Sequence, residues 1–259
     1  MDCLLFRLYG PMASWGEIAV GEIRHTANYP SKSAIIGLLS AALGIKRDEP
    51  EKLKALRSGY AIAVEVYSQG SLLRDYQTIQ VPDSGGGFSY RTRRDELVIG
   101  KSRTGTILSS REYRLDAYAV VAVKILPKAP YELNVIKAHL EQPRFQVYLG
   151  RKSCPPAAPL NPQIIKGKGN FYEAFQSYAH NPVMPTNQTS SKTLSARDVH
   201  WLGWTDDRHY YWEGEPSDFS DALDLSRVQT RTRHDQPVSR TRWQFSPRLE
   251  HYLYLSGGQ

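Results

Sequence analysis

PSKSAIIGLLSAALG, residues 30–44, joins a buried helical face to a polar, basic helix start. Ser31, directly behind Pro30, can act as N-cap, and Gly44 can supply the left-handed residue that ends the helix. Between them Ile35, Leu38, Leu39, Ala42 and Leu43 recur at the spacing of a core-facing stripe. Lys32 and Ser33 fall in the first turn, beside backbone N–H groups that have no helical partner, and together these form a ready anion site.

The flanking segments arrange themselves around that helix. Leu4, Phe6 and Leu8 alternate in a first strand running to Gly10. A short helix is expected over Glu51–Arg57, and Tyr60–Tyr67 alternates Ile62, Val64 and Val66 as a second strand. A third strand, Ala117–Ile125, is apolar nearly throughout. Helical spacing returns at Glu132–Glu141 through Leu133, Ile136 and Leu140, and Phe145–Leu149 is expected to be a fourth strand. This order, strand–helix–strand twice over, predicts an α+β fold of ferredoxin-like (RRM-like) type, with two helices on one face of a four-stranded antiparallel sheet.

Two features exceed that minimal fold. About fifty residues separate the second and third strands, and 74–114 carries eight cations around a Gly85–Gly87 break. A loop of this length is usually functional. Strand-like pieces at Tyr76–Val81 and Glu96–Ile99 predict a protruding hairpin. The last hundred residues, rich in Trp, Tyr and turn residues, are expected to form a mainly β extension, with strands at Val228–Gln236 and Arg240–Phe245 and an irregular 180–225. The boundary is placed near residue 160, giving a domain 1–160 and an extension 161–259.

Composition limits the function classes. The chain has 259 residues and 41% hydrophobic content, enough for one large domain or two small ones with a real core. No apolar run approaches the roughly 18 residues of a membrane span, and MDCLLFRLYG does not read as a secretory signal. Cys3 and Cys154 are too few for a disulfide framework, so a reduced, cytoplasmic compartment is expected. Residues 1–160 hold 22 Lys and Arg against 15 Asp and Glu, whereas 161–259 hold 11 of each. Within the latter, 198–224 has eight acids and one base, and 225–248 reverses to six arginines against Asp235. A basic first part interleaved with tyrosines points to nucleic acid, since tyrosine can stack on splayed bases.

The segments GPMASWG (10–16), YPSKSAIIGLLSAALGIKRDEP (29–50), LLRDYQTI (72–79), SSREYRLDA (109–117) and VYLGRKSCP (147–155) occur in order. Together they resemble the CasD family, the Cas-five subunit of the type I-E CRISPR Cascade complex. The resemblance is dense to about residue 160, returns more weakly at 231–252, and does not extend over 160–225. It implies a ferredoxin-like RAMP fold with a thumb hairpin, for which the insertion 74–114 is the candidate. It further implies a non-catalytic binder of the crRNA 5′ handle that caps the Cascade backbone-subunit filament. Such a subunit supports the Cascade large subunit and meets target DNA only through the assembled complex, with no membrane and no cofactor.

The resemblance and the residues together nominate an RNA-binding set. Lys32 and Ser33 are candidate phosphate ligands, against the plainer reading that Ser31 caps the helix and Lys32 is solvated. Tyr29 could stack on a base or staple the helix start. In YLGRKSCP, Gly150 can turn backbone N–H groups toward a phosphate beside Arg151, Lys152 and Ser153; the alternative is a plain strand-ending turn. Arg111 and Tyr113 share a face if 109–117 is a strand, so a guanidinium and a ring could grip one nucleotide. Trp15 either packs its loop onto the core or stacks on a base, and Arg24 could reach the backbone.

No catalytic or metal residue is assigned. Metal-free RNA cleavage needs a base and an acid, and His25 is the sole histidine near the expected surface, where an incidental loop histidine is the plainer reading. Zinc spacing, a P-loop and the RRM aromatic consensus are missing from the sequence. The expectation is a non-enzymatic RNA-binding subunit. A metal-independent endoribonuclease acting on CRISPR repeat RNA is the rival, and a purely structural adaptor is a third reading.

Overall fold

Burial on both faces organises the central strands. In β1 (Cys3–Tyr9) every residue from Cys3 to Leu8 is buried. Leu4, Phe6 and Leu8 join one hydrophobic cluster, and Cys3 and Leu5 join another. Arg7 is also buried, and its guanidinium is satisfied by the carbonyls of Pro159, Asn181 and Pro182. The computed structural model describes all residues except 18, 20, 83–88, 99, 184–195, 221–223, 240, 241, 243, 258 and 259. The Gly85–Gly87 break expected in the insertion therefore lies outside the described residues, as does Ile99.

Two short strands, β2 (Met12–Ala13) and β3 (Ile23–Arg24), precede α1 (Lys32–Leu43). The hydroxyl of Ser31 accepts from Ala34 N, and Gly44, at φ 78°, closes the helix in the left-handed region. After α2 (Pro50–Gly59) comes β4 (Tyr60–Ser68), then β5 (Ser71–Pro82), α3 (Arg93–Val98) and β6 (Thr104–Leu115). The order continues with β7 (Tyr118–Ile125), α4 (Leu133–Glu141), β8 (Gln163–Ile165), α5 (Phe171–Gln176) and α6 (Ala196–Trp201). It ends with β9 (Arg208–Trp212), β10 (Gln229–Ser239) and β11 (Gln244–Leu255).

One seven-stranded sheet runs β10-β11-β9-β4-β7-β1-β8, with every neighbouring pair antiparallel. Helices α1, α2 and α4 cover one face, burying Leu39, Leu56 and Ile136. The other face is covered by α5 together with Tyr178, Leu202 and Phe219, which bury Trp212 of β9 with Phe175 of α5. A second, smaller sheet is built on β6, which pairs with β5 along twelve residues on one side and with β2 and β3 on the other. Among the described residues no helix is long and apolar enough to cross a membrane.

Four expectations are corrected here. Phe145–Leu149 forms no strand. The amides of Arg144 and Phe145 donate to Ala42 O and Ala41 O at the end of α1, and Leu149 N donates to Cys154 O within a turn. With those donors committed, the place beside β1 falls to β8. Glu96 belongs to a helix, not a strand, because Thr92 and Asp95 cap each other reciprocally: Asp95 N donates to the Thr92 hydroxyl (3.3 Å) and Thr92 N to the Asp95 carboxylate (3.0 Å). The 180–225 region is not simply irregular, since β9 lies between β4 and β11 with Tyr210, Tyr211 and Trp212 buried. The last hairpin's second strand starts at Gln244 and runs to Leu255 instead of spanning Arg240–Phe245; Arg240, Thr241 and Trp243 lie outside the described residues. Strands from both sides of residue 160 thus share one sheet.

Part of the charge reversal near residue 225 is consumed inside the molecule, through Arg233 and Arg248. The Arg248 side chain, 8% exposed, donates to both Asp235 oxygens at 2.7 and 2.9 Å and reaches Glu250 at 2.6 Å and Glu213 at 3.2 Å. Glu213 in turn binds Lys32. Buried cations tolerate that position only when so paired.

Glu65 on β4 has a different environment. It is fully buried and accepts from the hydroxyls of Tyr67 (2.9 Å) and Tyr210 (3.0 Å), with Arg208 at 3.8 Å. Burial pushes its carboxyl up from 4.5 to about 7, although the two hydroxyls and Arg208 pull the other way. Folding therefore becomes less favourable as pH rises from about 4.5 to 7, because the folded chain retains a proton that the unfolded chain has lost. Relative to the wild type, Glu65→Gln is expected to gain stability progressively across that window and to hold a constant advantage above it. Urea unfolding of both proteins at pH 5 and pH 8 measures this, and an equal difference at the two pH values would contradict it.

Candidate nucleic-acid interface

The site begins with a close backbone approach. Ser14 N donates to Leu149 O (3.0 Å), which presses the 10–16 loop onto the 147–155 turn. At Gly150, φ is +84° and an added Cβ would lie 1.8 Å from Ser14 O, so only glycine fits. Trp15 seals this junction, with its amide donating to the Thr26 hydroxyl (2.9 Å), its carbonyl accepting from Ala27 N, and 4% exposure. Its ring packs in the core and is not open to a base. Gly150 supplies room, and the turn after it presents Arg151, half-buried, with Lys152 and Ser153 exposed.

That junction carries β3 alongside β6, parallel, with Arg24 opposite Arg111. Opposed residues project to the same face, so the two guanidinium groups start from one place. Arg151 joins them: its Nη2 donates to Arg24 O (3.4 Å), and its guanidinium lies 4.8 Å from the Tyr113 ring centre. Tyr113 is buried against the core, and Arg151 takes the cation–aromatic partnership expected of Arg111. Arg111 itself is exposed; Asp75 lies opposite it in the register but accepts from Gln77 (2.7 Å). The Nη1 atom of Arg151 and the Nε atom of Arg114 are buried without a hydrogen-bond partner among the described residues.

The next residue along β6, Glu112, points to the other face and is buried. It accepts from Arg74 (3.0 Å) and Thr26 N (3.3 Å), and His25 Nδ1 lies at 3.1 Å. Burial would raise this carboxyl, but the hydrogen bonds from His25, Arg74 and Thr26 N outweigh it and hold the group below the usual carboxylate range. Sequence reasoning did not pick out Glu112 or Arg74. An acid enclosed by arginines in SSREYR was the available signal.

Lys32 and Tyr29 lie apart from this cluster. Lys32 Nζ donates to Glu213 (2.7 Å) and Tyr60 O (3.2 Å), so it is neither a free phosphate ligand nor solvated. Tyr29, 6% exposed, stacks on Tyr211 at 3.5 Å between ring centres and donates to Glu250. Both ring and hydroxyl are engaged inside the protein. Ser33, beside Lys32 in sequence, opens instead into a cleft that it shares with Gly150. Its hydroxyl lies 3.0 Å from that of Ser31.

The profile of the family described as "CRISPR-associated protein (Cas_Cas5)" matches residues 3–249, nearly the whole chain. The chain belongs to the Cas5 family. A similar protein is the "CRISPR system Cascade subunit CasD" of Escherichia coli (strain K12), 35% identical over 167 residues, which covers 61% of this chain and 68% of that one. In fold, this Cas5 chain resembles a chain of a "CRISPR RNA-guided surveillance complex" at TM-score 0.61 and 24% identity, covering 97% of this chain and 89% of that one. It also resembles a "Crystal structure of Cas protein" at TM-score 0.56 and 24% identity, covering 98% and 95%. These likenesses fit the mixed α+β architecture with antiparallel sheets described above. Among the described residues of this Cas5 chain, no three His, Cys, Asp or Glu side chains converge as metal ligands.

Gly150→Ala is expected to lower the melting midpoint by about 5 °C or more. A side chain at positive φ costs about 1–2 kcal/mol before the clash with Ser14 is counted. Calorimetry of the variant checks this, and an unchanged midpoint would show that the junction yields freely.

Proposed function

We propose that this Cas5 chain is a subunit of a type I-E Cascade complex and holds the 5′ handle of its crRNA without cutting it. The observation that carries the reading is the meeting of Arg24, Arg111 and Arg151 from three distant segments, with a donor of Arg151 left without an acceptor among the described residues. Guanidinium groups in that state are suited to phosphate oxygens, and Lys152 and Ser153 extend the same surface. The related CasD protein's description as a Cascade subunit supports the setting. In this reading the Cascade backbone and large subunits are partners, target DNA is met through the assembly, and the compartment is the cytoplasm.

The strand order β4-β7-β1-β8 with α1 and α4 on one face supports a ferredoxin-like RAMP core. The paired β5 and β6, projecting from between β4 and β7, serve as the thumb. The part after residue 160 extends the core sheet and covers its second face, so RNA is held at the sheet's margin and not across strand aromatics.

Replacing Arg24, Arg111, Arg151 and Lys152 by alanine is expected to weaken handle binding by an order of magnitude or more. The dependence of log affinity on log salt should flatten by about 2 to 3, since each phosphate contact to a single strand contributes about 0.7. Lys32→Ala is expected to destabilise the protein through Glu213 while leaving the salt slope intact. The reverse pattern, with Lys32 carrying the slope, would reject the assignment.

His25 supports a second reading, metal-independent cleavage of repeat RNA. Its Nδ1 faces the buried Glu112 carboxylate while its side chain remains 56% exposed, the arrangement of a base oriented by an acid. Incubating the protein with repeat RNA in EDTA separates the two. Intact RNA is expected, and site-specific cleavage lost in His25→Ala would favour the enzyme.

A further inference from the structure

The partly open side of α1 is unusually bare. Ser33, Gly37 and Ala41 follow one another at intervals of four and therefore lie along one line of the helix. They floor a cleft of about 400 Å³ that is bordered by Tyr148 after α4 and by Phe245 of the last hairpin. A second cleft of similar volume shares Ser33, Gly37, Ala41, Arg47 and Tyr148 with it and continues past Phe145 to Lys46 and Arg57. At its other end the first cleft reaches Gly150, next to Arg151. The groove thus begins at the arginine cluster and runs along the helix.

Three aromatic rings border this groove without being covered: Phe145 is 44% exposed, Tyr148 37% and Phe245 37%. Single exposed rings are ordinary, but apolar surface gathered along one groove marks an interaction site. Among the described residues, Lys46, Arg47 and Arg57 have no carboxylate at ion-pair distance, in contrast to Lys32 and Arg248. Apolar rings with unneutralised cations suit a nucleic-acid strand, whose bases are flat and whose backbone is anionic. Each cleft is of a size common for small-ligand pockets, about 300–1,000 Å³.

We propose that the cleft over Ser33, Gly37 and Ala41 captures one unstacked base of the bound RNA strand. Tyr148 and Phe245 offer the stacking surfaces, and Arg47 meets the adjoining phosphate. The inference rests on the reading that the neighbouring arginine cluster holds RNA, and it adds a position at which a base is selected. The bare helix line is what gives the base access: any longer side chain at Gly37 would stand where the ring has to lie.

The test uses the full chain and a single-stranded repeat RNA, together with a set of the same strand in which one nucleotide at a time is abasic. In wild type, one abasic position is expected to weaken binding by about 5- to 150-fold, the worth of one base–aromatic stack. Tyr148→Ala and Phe245→Ala should weaken the intact strand similarly and no longer respond to that position. Gly37→Leu guards against misfolding. A Cβ at Gly37 meets nothing within 4 Å, so the variant is expected to melt at or above the wild-type temperature while losing the same affinity.

If all three variants bind intact and abasic strands as wild type does, the base pocket is wrong and the RNA reading stands. If Gly37→Leu keeps the RNA but sheds a Cascade subunit, the cleft holds protein and the proposal falls. If wild type binds no RNA, the reading of the arginine cluster falls, and the pocket with it.

Discussion

Covering both faces of the central strands is the constraint on which the other features depend. β1, β4 and β7 are buried on either side, by α1 and α4 on one and by α5 with Tyr178, Leu202 and Phe219 on the other. A sheet enclosed in this way has no flat surface left for a polynucleotide. In the proposed reading, recognition moves to the margin, where short strands and turns bring side chains together. The Gly150–Ser14 approach is what makes the margin continuous, because it docks the Arg151 turn onto the loop that leads to Arg24.

The same constraint sorts the cations. Lys32 and Arg248 point toward the enclosed side of the last hairpin and are neutralised by Glu213, Asp235 and Glu250. Arg24, Arg111 and Lys152 stand on the open margin and are exposed. Net charge is therefore a poor guide to where an anion binds. In the tail, Arg233 and Arg248 are engaged by Glu17, Glu213, Asp235 and Glu250, whereas Arg24, Arg111 and Lys152 stay exposed.

Much of the core could be read from periodicity. The caps at Ser31 and Gly44, the stripe of α1, the apolar runs of β4 and β7, and Leu133, Ile136 and Leu140 of α4 all follow from local spacing. What escaped depends on partners remote in sequence. Phe145–Leu149 has a strand's composition, but its amides are drawn to the end of α1. RHYYW, the β9 strand, is only five residues long and sits among turn residues, so its central place in the sheet had no local signature. Within the candidate interface, the turn GRKS and the pair Arg24 and Arg111 were legible as basic positions. The partners of Lys32 and Tyr29 had no local signal, because Glu213 and Glu250 lie 181 and 221 residues further along the chain.

The position of β9 also bears on how the chain reaches its fold. β4 is complete by residue 68, yet one of its edges pairs only with residues 208–212, and that strand in turn receives β11 last of all. A polypeptide emerging from the ribosome would carry an open, hydrophobic strand edge for about 140 residues of synthesis before its neighbour exists. The reach of this closure predisposes the molecule to slow assembly. During that interval the Lys32 cation at the start of α1 lacks the Glu213 carboxylate that neutralises it in the finished fold.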